Sequence, residues 1–449
     1  MKNLLIITQY FYPENFRIND LALTWREYGY NISILTGLPN YPKGIYFDGY
    51  KNTKKVILEE WEGMQIIRLP MLPRGKSAID LSKFCFSFVY EGKKWVRKYI
   101  SEYKKNIKMK NSFNNESNDY ITFDNNTYPI FDLIFTFEVS PMTQALIAPY
   151  LSKKMNNINK EKTIKTYLYV QDLWPENVEE VLNIHNPLII KPIELMVSKI
   201  YKETNYIFAT SKSFVKCIEK RLYKKEKNDS SNSKVHYWPQ YAEDFYIPKE
   251  KMNKDDTFKI CFTGNIGYTQ GLGELPIIAK LIKEKSNNEK DFLYNKKIKF
   301  VLVGDGRYKE KLIKEIEEND VKELFDLHDK VEAKEIPNII STCDMCLVSF
   351  TNSEVLSKTI PSKLQSYMAC GMPIIAIASG ETKNIIEEAN CGYVSSAKDY
   401  EKFIDNIKKA LNDKGEVLEK KGKNAREYFL LHFSKKLLLD KMEDFFNKE

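Results

Sequence analysis

The chain has 449 residues, more than one ordinary domain of about 100 to 200 residues, so at least two domains are predicted. Its composition, 43% hydrophobic and 29% charged, excludes an intrinsically disordered chain. The 69 basic residues exceed the 61 acidic ones by +8, an excess too small for this length to indicate a nucleic-acid-binding tail.

Parallel sheets covered by helices are predicted along the whole chain, because short runs of Ile, Val, Leu and Phe alternate with segments of helical period. In the first half we predict strands at 4–8, 31–36, 65–69, 133–137, 166–171 and 206–210. In the second half we predict strands at 259–263, 298–303, 344–350, 373–376 and 392–394. The fold class is therefore α/β, with two doubly wound domains.

The domain boundary is expected in the polar segment 237–257, which separates a first domain at 1–245 from a second at 246–425. Residues 426–449 carry apolar side chains at helical spacing and predict a terminal helix. Segment 104–127 is rich in Asn, Lys and Ser, so we expect a solvated insertion there.

The compartment follows from the cysteines and from missing membrane signals. The seven cysteines lie mostly in apolar runs, which favours buried thiols in a reducing compartment. No apolar stretch reaches the ~18 residues of a spanning helix, and no signal-peptide core occurs. We therefore expect a cytoplasmic protein, and attachment to a membrane surface stays open.

Two glycine-rich turns follow predicted strands in the second half. The first runs from Gly264 to Gly273, and the second is Gly304-Asp305-Gly306. Glycines at the carboxyl end of a parallel strand let backbone N–H groups approach a phosphate, although such turns also form for purely local reasons. The recurrence of the turn on a second strand favours the ligand-binding interpretation.

A third loop places a lysine where a helix dipole disfavours it. Pro361 and Ser362 open a predicted helix that Ser362 can cap, and Lys363 lies in its first turn. A cation at this position indicates a nearby anion, and the alternative is a solvated lysine.

In the first half, Asp172 directly follows a buried strand and precedes Trp174-Pro175. Asp172 can cap the next helix or act on a substrate hydroxyl. The loop after the first strand adds a cation, Arg17. The four histidines lack paired spacing and no Asp-x-Asp occurs, so the sequence favours a metal-independent reaction with no cofactor.

The chain resembles the bacterial L-fucosamine-transferase-like branch of glycosyltransferase family 4. Five strings carry the resemblance in order: Gln9 to Asp20, Leu35 to Gly44, Gln171 to Glu176, Thr263 to Gly267 and Ile360 to Lys363. The resemblance implies a GT-B fold, in which two Rossmann-like domains face each other across a cleft and the terminal helix returns to the first domain.

The same resemblance implies a retaining transfer from a UDP-sugar, held by the second domain, to an acceptor held by the first. N-acetyl-L-fucosamine or a related N-acetylhexosamine is the implied sugar, and the implied setting is capsule or O-antigen assembly on an undecaprenyl-diphosphate-linked saccharide. No nucleic-acid partner is expected.

Carried over residue by residue, the resemblance implies three groups of site residues. Asp172 would stand near the reacting centre. The donor would contact Gly264, Asn265, Gln270, Gly271, Gly304, Asp305, Gly306, Lys358, Pro361, Ser362, Lys363 and Ser366. The acceptor or phosphate side would be formed by Glu14, Asn15, Arg17 and Asn19.

The chain departs from the broader family at three of these positions. Lys358 and Ser366 occupy the places of a Glu-x7-Glu pair, and Gln270 stands where a lysine is common. A serine hydroxyl then replaces the carboxylate that holds the ribose.

Segment 77–100 mixes six aromatic residues with basic ones, namely Phe84, Phe86, Phe88, Tyr90, Trp95 and Tyr99 with Lys83, Lys93, Lys94, Arg97 and Lys98. Such a mixture suits contact with an anionic membrane, and the alternative is an amphipathic helix whose aromatics join the core. Two other functions stay open for the whole chain: a UDP-N-acetylhexosamine 2-epimerase and a catalytically silent scaffold of a polysaccharide-assembly complex.

Overall fold

A computed structural model describes residues 1–75, 77–113, 119–160, 162–223, 233–251 and 256–447. The chain divides into two compact units. The first contains Met1–Thr210 and Phe214–Tyr237, and the second contains Ser211–Ser213 and Trp238–Glu449.

The first unit is built on an eight-stranded sheet with the order β10-β9-β8-β7-β1-β2-β4-β3. Its strands are β1 Asn3–Ile7, β2 Asn31–Gly37, β3 Ile57–Trp61, β4 Met64–Leu69, β7 Leu133–Glu138, β8 Lys165–Val170, β9 Tyr206–Ala209 and β10 Val235–Tyr237, and a separate hairpin joins β5 Tyr120–Phe123 to β6 Asn126–Pro129. All neighbours are parallel except β3 and β4. The inner strands are buried on both faces, which explains their continuous apolar sequences.

The helices of this unit are α1 Arg17–Glu27, α2 Ala78–Phe113, α3 Ile147–Ile158, α4 Glu176–Leu182, α5 Pro187–Glu203 and, apart from its first two residues, α6 Lys212–Tyr223. Leu5 and Ile134 pack in one core with α2 and α3, and Leu168 packs in another with α5. Leu5 pairs with Ile134, and Thr136 pairs with Leu168, so these side chains lie on one face of the sheet. Helices α2, α3 and α5 therefore cover the same face.

The second unit is built on a six-stranded parallel sheet with the order β13-β12-β11-β14-β15-β16. Its strands are β11 Phe258–Asn265, β12 Ile298–Asp305, β13 Phe325–His328, β14 Met345–Ser349, β15 Ile374–Ile377 and β16 Gly392–Ser395. Its helices are α7 Leu275–Ser286, α8 Lys309–Glu318, α9 Ile336–Ile340, α10 Glu354–Ser357, α11 Ser362–Ala369, α12 Gly380–Glu388, α13 Tyr400–Asn412, α14 Glu416–His432 and α15 Lys435–Asn447. This strand order is that of a Rossmann fold.

Every strand predicted from the sequence is present, with ends shifted by at most a few residues. The strands without a prediction are β3, β5, β6, β10 and β13, which are short or carry few Ile, Val and Leu residues. Segment 104–127 is not simply a solvated insertion: α2 extends through it to Phe113, and the β5–β6 hairpin buries Ile121 and Tyr128 against α2. Residues 114–118 of this segment lie outside the described residues.

The boundary between the units lies between Tyr237 and Trp238, earlier than the predicted 245/246. The reason is the side chain of Trp238, which is buried and donates its indole N–H to the carbonyl oxygen of Leu438 at 2.7 Å. The terminal helix α15 accordingly groups with the second unit. Its return to the first unit stays a prediction.

All seven cysteines are free thiols. None of the helices in the described ranges is both long enough and apolar enough to cross a membrane.

Candidate active site

Each sheet has a point where its connections reverse direction, between β1 and β7 in the first unit and between β11 and β14 in the second. Ligands of such folds bind beyond the carboxyl ends of the strands at this point. The residues predicted from sequence lie in the loops after β1 and β8 of the first unit and after β11, β12 and β14 of the second.

The two glycine turns of the second unit form one paired structure. Strands β11 and β12 stay in register through Gly264, which pairs with Gly304, and Asn265, which pairs with Asp305. Gly304 has φ +155°, and a Cβ there would lie 1.9 Å from the carbonyl oxygen of Gly264. Only glycine allows this approach.

The second turn closes on the first through backbone contacts. Ile266 N–H donates to the carbonyl oxygen of Asp305 at 2.8 Å, and a Cβ on Gly306 would lie 2.4 Å from the carbonyl oxygen of Ile266. The carboxylate of Asp305 accepts the N–H of Gly306 at 2.8 Å, so it shapes its own turn. Asn265 and Asp305 are exposed.

The loop from Gly267 to Gly271 lies against the end of β14. Thr351 N–H donates to the carbonyl oxygen of Thr269 at 3.1 Å. Gly271 has φ +63°, and a Cβ there would lie 3.0 Å from the backbone of Phe350. The segment that carries Gln270 is therefore fixed next to the reversal point of the sheet.

Helix α11 is anchored to β11 by Tyr367. This fully buried phenol accepts the N–H of Thr263 at 2.8 Å, and the Thr263 hydroxyl lies 3.0 Å away. The anchor places Lys363 over the first glycine turn: its Nζ lies 3.7 Å from the centroid of the Phe262 ring and contacts the side-chain oxygen of Gln270. Desolvation lowers the pKa of this half-buried lysine well below its ordinary value.

The other predicted residues on α10 and α11 make contacts of their own. Pro361, not Ser362, is the N-cap of α11, and no side chain caps the helix, so the predicted Ser362 cap is wrong. Ser362 is exposed in the first turn, and its carbonyl accepts the hydroxyl of the buried Ser366 at 3.1 Å. The ammonium of Lys358 lies 2.7 Å from the carboxylate of Glu354. The structure thus brings Gly264, Gln270 and Lys363 together.

In the first unit, the half-buried Asp172 follows β8. Its Oδ2 accepts the N–H of Ser140 at 2.8 Å, whereas α4 begins after Pro175 without a side-chain cap, so Asp172 is not a helix cap. The Ser140 hydroxyl accepts N–H groups from the Trp174 indole at 2.9 Å and the Asn177 amide at 3.0 Å. The loops after β7 and β8 therefore hold each other in place.

Sequence reasoning missed Glu138, the last residue of β7. Its carboxyl is fully buried, and Oε2 accepts the N–H groups of Gln171 at 3.2 Å and Asp172 at 3.3 Å. Burial, and then the charge of Asp172, raise the pKa of Glu138 well above its ordinary value. The sequence did offer one signal for this site, because Glu138 is an acidic residue at the end of an otherwise apolar strand.

The loop after β1 is held together by Glu14 and Asn19. The buried Glu14 carboxylate accepts the N–H groups of Asn40 at 2.8 Å and Tyr41 at 2.7 Å. Burial raises its pKa to about 6, against the opposing effect of these N–H groups. The Asn19 amide donates to the carbonyl oxygen of Glu14 at 2.8 Å. Glu14 thus ties the loop after β1 to the loop after β2, and Asn19 contacts Glu14 within its own loop.

Arg17 and Asn15 are the more accessible members of this loop. Asn15 is exposed, and Arg17, half-buried, begins α1. Burial raises the pKa of Tyr169 on β8, and the guanidinium of Arg17 opposes that rise, which puts the cation within electrostatic reach of that strand. Across the described parts of both units, no group of three or more His, Cys, Asp or Glu side chains is arranged to hold a metal ion.

Residues 244–428 match the family model described as "Glycosyl transferases group 1". The search of curated proteins found no significant match. Among solved structures, sucrose-phosphate synthase from Thermosynechococcus elongatus is similar, with 13% identity, a TM-score of 0.65 and coverage of 99% of this chain and 98% of that one.

Two further structures are similar over nearly their whole length. Anabaena HepE, solved in complex with UDP and glucose, has 10% identity and a TM-score of 0.62, with 99% of each chain covered. WaaG, a glycosyltransferase involved in lipopolysaccharide biosynthesis, has 12% identity and a TM-score of 0.61, with 99% of this chain and 100% of that one covered. Residues 244–428 are therefore similar to a glycosyl transferases group 1 domain, and the chain has the GT-B fold.

Proposed function

We propose that the protein is a retaining, metal-independent glycosyltransferase that uses a UDP-sugar donor. The observation that carries this proposal is the position of Lys363, a half-buried cation beside the Gly264 turn and in the first turn of α11. Backbone N–H groups at such a turn, a helix N-terminus and a cation together suit a diphosphate. HepE, solved with UDP, supports UDP as the nucleotide.

The chemical task of the site is to stabilise the charge that builds up on the leaving diphosphate while the sugar becomes oxocarbenium-like. Lys363 and the N–H groups of the first glycine turn serve the diphosphate in this proposal, and the Gly304–Gly306 turn serves the nucleoside. Asp172 acts at the reacting centre, and the loop of Arg17 serves the acceptor. The sugar is N-acetyl-L-fucosamine or a related N-acetylhexosamine, and the acceptor is an undecaprenyl-diphosphate-linked saccharide of capsule or O-antigen assembly.

Thermal melts with UDP, GDP and dTDP test the nucleotide, and we expect UDP to raise the melting temperature most. Release of UDP from UDP-N-acetyl-L-fucosamine and from other UDP-N-acetylhexosamines, with a polyprenyl-diphosphate-linked acceptor, tests the transfer. NMR of the product should show the anomeric configuration of the donor, and EDTA should leave the rate unchanged. Conversion of the free donor at C2 without an acceptor would indicate an epimerase, and no turnover with any donor would indicate a scaffold.

A matched pair of variants tests the role assigned to Asp172. Asp172→Ala should lower turnover more than UDP affinity, whereas Asp48→Ala, which changes an exposed aspartate of the same unit, should lower neither. An Asp172→Ala enzyme with wild-type turnover would remove Asp172 from the reacting centre.

We also propose that the protein attaches peripherally to the inner face of the cell membrane through α2. Four of the six aromatics of segment 77–100, namely Phe84, Phe88, Trp95 and Tyr99, lie in the core, as the alternative interpretation requires. Phe86 and Tyr90 are exposed, and they share one side of α2 with the exposed Ile79, Lys83 and Lys94, because these residues repeat at helical spacing. This apolar and basic stripe suits an anionic bilayer surface.

Helix α5, which covers the same sheet face as α2, supports this orientation. Leu188 and Leu195 are 84% and 73% exposed, one above the other on the helix, with the exposed Lys191 and Lys199 nearby. Between the two helices, α3 exposes Lys153 and Lys154. Helices packed on one face of a sheet expose their outer sides in the same direction, so both stripes can meet one bilayer.

Co-sedimentation with vesicles of phosphatidylcholine and phosphatidylglycerol tests this attachment. Phe86→Ser with Tyr90→Ser, and separately Leu188→Ser with Leu195→Ser, should reduce binding, and reversal of Lys83, Lys94 and Arg97 to Glu should abolish it. Leu431→Ser, at a 70% exposed leucine of α14 in the other unit, is the matched control. Wild-type binding by the charge-reversed variant would contradict the proposal.

A further inference from the structure

Glu138 stands at the reversal point of the first sheet and controls the turn that carries Asp172. Its Oε2 accepts the N–H groups of Gln171 and Asp172, and the Gln171 N–H also reaches the Glu138 carbonyl oxygen at 3.0 Å. Its Oε1 is buried and has no hydrogen-bond partner among the residues that the structure describes. The two oxygens of one carboxyl therefore have different environments.

The surroundings of Glu138 disfavour a negative charge there. The groups that act on its carboxyl are the N–H groups of Gln171 and Asp172 and the charge of Asp172. From α5, the buried phenol of Tyr201 lies within electrostatic reach of Glu138, and the charges of Glu176 and Arg221, an ion pair at 2.5 Å, also act on Tyr201. A buried carboxylate beside a second carboxylate is unfavourable without a cation of its own, so these surroundings favour the protonated form of Glu138.

We propose that Glu138 is a positioning residue that works as a neutral carboxylic acid, which fixes the Gln171–Asp172 turn and leaves Asp172 as the single ionised carboxylate of the pair. This inference rests on the proposed role of Asp172 at the reacting centre. Ionisation of both groups would set two negative charges against each other and open the turn. A neutral Glu138 keeps the turn closed without altering the charge that Asp172 presents.

Two conservative variants of Glu138 distinguish a role of its neutral acid form from a role of its ionised carboxylate. Glu138→Gln keeps a carbonyl oxygen for both N–H groups without a charge, whereas Glu138→Asp keeps the acid and withdraws it by one methylene. We expect Glu138→Asp and Glu138→Ala to lower the turnover of UDP-N-acetyl-L-fucosamine about 10- to 100-fold, and Glu138→Gln to restore most of the loss. UDP affinity, measured by calorimetry, should be the same in all of them.

The opposite order, in which Asp retains turnover and Gln loses it, would show that Glu138 works as an ionised group and would overturn the proposal. A parallel loss of turnover and UDP affinity in all three variants would reduce Glu138 to a merely structural residue and would overturn it equally.

Infrared spectroscopy tests the protonation of Glu138 directly and needs no substrate. The difference spectrum of wild type minus Glu138→Gln at neutral pH should contain the carbonyl band of a protonated carboxylic acid, and its absence would overturn the proposal. This readout also keeps the two proposals apart. A protein that shows the band but releases UDP from no UDP-sugar would contradict the proposed function and leave the protonation of Glu138 established.

Discussion

The ammonium of Lys363 lies over the ring of Phe262, 3.7 Å from its centroid, so a strand residue and a helix residue of the second unit form a cation–π pair beside the first glycine turn. The side-chain oxygen of Gln270 is the second contact of the same ammonium. Both contacts stabilise a cation without neutralising it. A bound diphosphate would supply the negative charge that these two contacts lack.

Replacing Lys363 should weaken UDP binding strongly. We expect Lys363→Ala to lower UDP affinity about 10- to 100-fold, or ~1.4 to 2.8 kcal/mol, because a charge-assisted contact to the diphosphate is lost. Isothermal titration calorimetry measures this effect. Lys409→Ala, at an exposed lysine of α13, should bind like the wild type. Unchanged affinity in Lys363→Ala would remove the lysine from the donor site.

UDP affinity should also depend on pH through Lys363. Desolvation lowers the pKa of this lysine in the free protein, and a bound diphosphate would raise it again, so binding takes up a proton. Above pH ~7, where a terminal phosphate of pKa ~6 is already ionised, UDP affinity should therefore fall as pH rises. Lys363→Arg, whose guanidinium stays charged, should show a flatter dependence. Equal slopes in the two proteins would contradict this linkage.

Glu14 should make the first unit less stable as pH rises. Its pKa is raised from 4.5 to about 6 in the folded protein, so the stabilising protonated form is fully present below 4.5 and is lost as pH rises through 6. The loss amounts to about 2 kcal/mol at most. Urea unfolding followed by tryptophan fluorescence should show a weaker pH dependence in Glu14→Gln, and no change in Glu180→Gln, an exposed control.

Gly304→Ala should damage the proposed donor site. The added methyl would overlap the carbonyl oxygen of Gly264, so we expect at least about 2 kcal/mol of destabilisation and weaker UDP binding. Gly49→Ala is a useful control, because Gly49 also has a positive φ, +87°, but its Cβ would meet nothing within 4 Å. Similar effects of both substitutions on melting temperature would show that backbone strain, not the overlap, limits the turn.

The glycine turns and Asp172 could be located from sequence because each combines a buried strand with the special residue that directly follows it. Gly264 and Gly304 come at the ends of runs that read as strands, and parallel strands bring such ends to one edge. The position of Lys363 in the first turn of α11 could also be predicted, because Pro361 marks the start of that helix.

The partners of these residues were not visible, because they are distant in sequence. Glu138 at the end of β7 and Ser140 in the loop after it hold the Asp172 turn, and Tyr367, which anchors α11, reaches back to Thr263. Neither hydrophobic periodicity nor a local sequence motif predicts which of these distant residues will form hydrogen bonds. Likewise the β5–β6 hairpin is polar in composition, and only the packing of Ile121 and Tyr128 against α2 makes it part of the fold.

The hydrogen bond from Trp238 to Leu438 bears on the order in which the protein is made. The indole belongs to the opening residue of the long C-terminal segment of the second unit, and its acceptor lies on the last helix that the structure describes. Residue 438 must leave the ribosome before that bond can form, whereas most of the first unit has emerged some two hundred residues earlier. In a shorter nascent chain the Trp238 indole has no Leu438 carbonyl to donate to, so the second unit is completed late in synthesis.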